Sequence, residues 1–73
     1  MTVTQDTIFD VGQYLYHRRK AVGKTMLDIE HTHGVSHSTV DDIESGKTKP
    51  LLYTLVLICE ALGLEVVIRE KQR

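Results

Sequence analysis

Four glycines, Gly23, Gly34, Gly46 and Gly63, cut this 73-residue chain into short pieces, and each follows an apolar-periodic stretch. Glycine just past such a stretch is a common stop for a helix. From Ile8 the apolar residues Ile8, Val11, Leu15 and Val22 keep to one helical face, with Asp6 or Thr7 as the cap and Gly23 as the end. Thr25 is placed to cap a short second helix running to about His33. Asp28, three residues on, serves its first turn as a weaker cousin of the capping-box Glu. Gly34 stops this helix with a positive φ. Ser36 then caps a third helix, to about Ser45, which buries Val40 and Ile43 and is closed by Gly46. After the turn "GKTKP", Pro50 precedes a fourth helix, from about Leu51 or Thr54 to Leu62, with Leu51, Leu55, Ile58 and Leu62 facing inward. Beyond Gly63 the period changes. In "LEVVIRE", Leu64, Val66 and Ile68 alternate with Glu65, Val67 and Arg69, which is strand spacing with β-branched enrichment. The expected division is a loose tail over 1–5, a helical domain over 6–63, and a C-terminal strand and tail over 64–73.

A chain of this length makes one domain, marginal alone, and such domains often gain support from a staple or a second copy. An internal disulfide is excluded because Cys59 is the only cysteine. A lone Cys among apolar neighbours fits a reducing compartment, and the sequence has neither a membrane-length apolar run nor a signal-peptide core, so the expected location is cytoplasmic. Net charge says little, with nine Lys and Arg against ten Asp and Glu. Placement says more. Arg18, Arg19, Lys20 and Lys24 lie close together, Lys47 and Lys49 flank a turn, and Arg69, Lys71 and Arg73 end the chain, so a near-neutral domain can still present a basic face.

Two short helices joined by a tight Gly-containing turn make a helix-turn-helix candidate. The first helix braces the second, and the second exposes its N-terminal side chains to base edges. The stretches "RRKAVGKT", "GVSHSTVDDIESGKTKP" and "TLVLICEALGL" resemble the lambda-repressor-like, Xre-type helix-turn-helix family. The middle stretch is the most specific: G-V-S, a small polar residue, Val40, Ile43-Glu44, Gly46-Lys47 and Pro50. The resemblance implies an all-α, four- to five-helix DNA-binding domain, here with a short C-terminal β-strand for dimerisation.

It further implies a structural ion pair between Arg19 and Glu44. Base contacts would fall to His37, Ser38, Thr39 and Asp42. Phosphate contacts would fall to Lys24, Thr25 and Met26 at the second helix, and to Lys47, Thr48 and Lys49 after the third. There are departures from the family pattern. Met26 stands where Gln is frequent, Glu30 where Ala is frequent, and His33 replaces an apolar residue.

The ending "LGLEVVIREKQR" resembles HipB-like antitoxins, whose C-terminal strand pairs across a dimer. That implies a homodimer through Leu64, Val66 and Ile68, an inverted-repeat operator in double-stranded DNA, and a HipA-type toxin kinase as partner.

Asp41 and Asp42 sit in the middle of the expected recognition helix, where negative charge opposes phosphate. A carboxylate there can accept from cytosine N4, and Asp42 has the better spacing; otherwise the two acids only weaken non-specific binding. No metal or other cofactor is expected. His31 and His33 are two apart on a helix and diverge, and no cysteine lies near them. An enzyme is not expected either, since "GKT" at 23–25 lacks the upstream Gly of a phosphate loop and no nucleophile has a recognisable setting. The alternative is an interaction module that keeps this fold without reading DNA.

Overall fold

The computed structural model describes residues 8–71, with side chains from Asp10 onward. The expected cap at Asp6 or Thr7, the tail over 1–5, the side chain of Ile8 and the basic end at Arg73 lie outside the described residues. Four helices follow one another: α1 (Ile8–Ala21), α2 (Met26–His33), α3 (His37–Glu44) and α4 (Leu52–Ala61). They enclose one core of Val11, Leu15, Ile29, Val35, Val40, Ile43, Ile58, Cys59, Ala61 and Leu62, with Met26, Leu55, Leu57 and Leu64 packed against it.

The local chemistry accounts for the helix ends. Thr25 Oγ1 accepts from the Asp28 backbone N–H at 3.0 Å, and Asp28 Oδ2 accepts from the Thr25 N–H at 2.8 Å. This reciprocal box satisfies two donors that a helix start otherwise leaves unpaired. Ser36 Oγ accepts from the Thr39 N–H and begins α3. Between α2 and α3 the chain turns through Gly34 at φ 73°, a conformation that costs a side-chain-bearing residue about 1–2 kcal/mol. Val35, immediately after it, is buried and fixes the turn to the core.

Three expectations are corrected. Val22 is exposed, because α1 stops at Ala21 and the chain has left the helical face. Leu51 is 76% exposed: it lies before the first turn of α4 in extended conformation, so helical periodicity does not apply to it. The C-terminal strand is not formed. Residues 64–71 carry no regular secondary structure, and no strand occurs among the described residues. The physical reason is the one-chain topology, in which an otherwise helical body offers no edge for a ladder.

Leu64 has a different task from the one expected. Its N–H donates to the Cys59 carbonyl at 2.8 Å, and the Gly63 N–H donates to the Glu60 carbonyl at 3.2 Å, with Gly63 at φ 71°. This is a Schellman ending, in which the residue after the glycine folds back apolar side down. Leu64 is accordingly half-buried against the core, while Val66, Val67 and Ile68 are exposed.

Candidate nucleic-acid interface

The inner face of α3 is held chiefly by α1. Gly12 lies where a Cβ would overlap the carbonyl oxygen of Ile43, so the two backbones touch. Gln13 Nε2 donates to the Glu44 carbonyl at 3.0 Å, satisfying an acceptor at the C-terminal end of α3. Arg19 donates from Nε and Nη2 to the two carboxylate oxygens of Glu44, at 2.8 and 2.9 Å. Both residues are 4% exposed, which makes this a buried bidentate pair. A third donor, Nη1, reaches the Lys24 carbonyl at 3.1 Å, and the guanidinium lies 5.6 Å from the Tyr16 ring centroid. The hydrogen bond to Glu44 outweighs burial and holds the Arg19 pKa above its ordinary value. Asp41 adds a smaller favourable field from the exposed side of α3, where it borders a shallow cleft with Gln13, Tyr16 and Met26.

The outer face of α3 presents His37 and Ser38 at its start, with Asp42 half-buried one turn on. Thr39 is half-buried, and its hydroxyl is turned back to Ser36 Oγ at 2.8 Å, away from a role as a free base reader. An α-helix with its side chains is ~10–12 Å across, which fits the width of a DNA major groove, and α3 supplies about two turns of it. Beyond α3, the Lys47 N–H donates to the Asp42 carbonyl at 2.9 Å, and Lys47, Thr48 and Lys49 all reach solvent.

Two cations of the first basic cluster are tied to the end of α4. Arg18 Nε donates to the Leu62 carbonyl at 3.0 Å and Lys24 Nζ to the Ala61 carbonyl at 2.7 Å. These cations therefore sit on the negative end of α4, a favourable place for them. Lys20 lies 5.7 Å from the Tyr16 ring centroid. Lys24, expected at phosphate, is committed to the body of the domain in the free protein. Met26 is half-buried against the core, and the Thr25 hydroxyl and N–H are both engaged with Asp28.

Two acids guard the helix starts. Asp28 occupies the N-terminus of α2, and the Thr25 N–H and hydroxyl hold its carboxyl below the usual range. Glu30, on α2, accepts from the His37 N–H at 2.8 Å and contacts His37 Nδ1 at 3.0 Å, both through Oε1. These bonds, backbone first, hold the Glu30 pKa low. Glu30 has no task at this junction that sequence reading foresees; the available signal is its place seven residues before a His that opens a helix. His33 is half-buried with Nδ1 2.7 Å from Thr32 Oγ1. Among the described residues no group of three or more His, Cys, Asp or Glu comes together to hold a metal ion, and no helix is long and apolar enough to cross a membrane.

Residues 15–68 match a family model described as helix-turn-helix, a span that takes in the Arg19–Glu44 pair, α2, α3 and α4. Comparison with curated proteins finds no match, and comparison with solved structures finds none either.

Proposed function

The chain belongs to the lambda-repressor-like, Xre-type helix-turn-helix family, and on that premise we propose that it is a sequence-specific DNA-binding repressor that works as a homodimer. One observation carries the reading. The inner face of α3 is clamped by Gly12, Gln13 and Arg19, while His37, held by Glu30, and Ser38 are exposed at its start and Lys47, Thr48 and Lys49 follow it exposed. A rigid helix with a free outer face and cations just past its end suits a major groove flanked by phosphates. In this reading His37, Ser38 and Asp42 meet base edges, and Lys47 and Lys49 meet the backbone.

The dimer follows from unpaired apolar surface. Leu52, Tyr53 and Val56 on α4 are exposed, as are Val66, Val67 and Ile68 beyond it. Two copies of the segment after Leu64 joined as an antiparallel ribbon satisfy each other's backbone groups and cover these side chains. Within the family, such an ending suits a HipB-like antitoxin that represses its own operon and binds a HipA-type toxin kinase.

A second reading has its own observation. Besides the buried Glu44, Asp28, Glu30, Asp41 and Asp42 put four acids on α2 and α3, which favours an interaction module that has given up DNA. Selection from a random-duplex pool, followed by gel-shift titration, decides between them. Enrichment of an inverted repeat with half-sites about one helical turn apart, ~34 Å, supports the repressor. No enriched sequence overturns it in favour of the module.

A further inference from the structure

The contact between Glu30 and His37 fixes more than the angle between α2 and α3. An ionised carboxylate is only an acceptor, so the ring nitrogen beside it must carry the proton. Glu30 Oε1 lies 3.0 Å from His37 Nδ1, and the same oxygen holds the His37 backbone N–H at 2.8 Å, so the ring is anchored at two points. A neutral imidazole protonated at Nδ1 has a bare lone pair at Nε2, on the other side of the ring. His37 is the first residue of α3, and its side chain is 59% exposed, against 33% for Glu30.

We infer that Glu30 is a positioning residue for sequence reading, holding His37 in the Nδ1–H form so that Nε2 accepts from the exocyclic amino group of adenine or cytosine. This rests on the DNA-reading function proposed above and deepens it. With the ring neutral, the alternative contacts fail on donor count. A phosphate oxygen, guanine N7 or O6, and thymine O4 are all acceptors, and a bare Nε2 offers them nothing. The amino groups of adenine N6 and cytosine N4 are the major-groove donors that remain. Glu30 thereby turns the first residue of the recognition helix from a general phosphate contact into a selective one. Its own charge, held ionised by the same two bonds, keeps phosphate away from the start of α3.

The test has a part without DNA and a part with it. In the full-length free protein at about pH 8, above the ordinary imidazole range, long-range 15N–1H spectra should show a pyridine-type Nε2 and a protonated Nδ1 for His37. Glu30→Ala should shift the ring toward the other tautomer. Glu30→Gln keeps a carbonyl oxygen for Nδ1–H and should preserve the form. A wild-type ring protonated at Nε2 overturns the proposal whatever the protein does with DNA.

The second part compares random-duplex selections by the wild type, Glu30→Ala, Glu30→Gln, His37→Ala and the Glu30→Ala/His37→Ala double variant. The wild type should prefer adenine or cytosine at one position per half-site, and which of the two is enriched identifies the amino group. Glu30→Ala should lower that preference roughly fivefold to tenfold, the scale of one groove contact, and should raise affinity for random DNA. Glu30→Gln should keep the preference. In the His37→Ala background, removing Glu30 should change the preference no further. An unchanged preference in Glu30→Ala, or an equal loss with and without His37, removes Glu30 from this role. If the wild type enriches nothing, the DNA reading itself falls and this proposal with it, even with the tautomer as expected.

Discussion

Arg19 and Glu44 are 25 residues apart in the chain and meet in the interior through two parallel hydrogen bonds, of 2.8 and 2.9 Å. Arg19→Met leaves a buried carboxylate without its partner, and Glu44→Gln leaves a buried guanidinium. Either change should lower stability by about 3–5 kcal/mol, the scale for breaking a fully buried pair. A domain of this size is stabilised by roughly 4–11 kcal/mol, so thermal melting should show a large loss. The double variant Arg19→Met/Glu44→Gln should fall short of the sum of the singles. A melting temperature unmoved by either single change would mean that water reaches the pair.

Gly12→Ala sets two effects against each other. Helix propensity favours Ala by about 1 kcal/mol. The new Cβ, however, meets the Ile43 carbonyl oxygen, which is backbone and cannot rotate away. Overpacking costs about 1–3 kcal/mol, so net destabilisation is expected. Urea titration should show a lower midpoint with an unchanged slope. A higher midpoint would show that α1 and α3 can move apart without loss.

Residue chemistry foretells the helices, the Thr25 and Ser36 caps and the inward Val40 and Ile43, because caps and periodicity are local. Gly12 is illegible for the opposite reason: inside a helical pattern it reads as a small propensity penalty, and only the crossing with α3 gives it a purpose. The basic cluster hides a task in the same way. Arg18 and Lys24 read only as surface cations until α4 brings the carbonyls of Leu62 and Ala61 beside them. Leu64 reads equally well as the first residue of a strand or as the residue that closes α4. The choice depends on whether Gly63 is already a helix stop, which the alternation pattern beyond it obscures.

Acid should weaken the fold through Asp28 and Glu30. Both carboxyls titrate below their ordinary range when folded, by hydrogen bonds from Thr25 and from His37 respectively. The unfolded chain therefore binds protons first, and stability falls as pH drops below about 4. Both side chains face water, so the effect is modest. Melting curves of the wild type and Asp28→Asn from neutral pH downward should converge at low pH. A constant gap between them would show that the capping box has no charge dependence.

Salt dependence tests the proposed backbone contacts. Lys49→Ala should weaken binding to all duplexes alike and lower the slope of log affinity against log salt by up to about 0.9 per lost contact in each half-site. Lys24→Ala should instead lower stability, because its ammonium serves the end of α4. An unchanged slope for Lys49→Ala removes it from the interface.

Assembly is tested by removing residues 65–73, which spares Leu64 and the ending of α4. Analytical ultracentrifugation should give a folded monomer with weak operator binding. A dimer that survives the truncation places the contact on Leu52, Tyr53 and Val56 of α4 instead.

The clamp on α3 has a consequence for redesign. The contacts that hold the helix in place come from Gly12, Gln13 and Arg19 on one side, whereas His37 and Ser38 lie on the other and Asp41 is open to solvent. Exposed positions outside such contacts usually tolerate substitution to within about 0.5 kcal/mol. A library randomised at 37 and 38, with Ser36 and Thr39 kept as the cap and Asp41 kept beside Arg19, should therefore yield mostly folded proteins. Such a scaffold could be retargeted by selection, because the positions that vary lie outside the clamp of Gly12, Gln13 and Arg19.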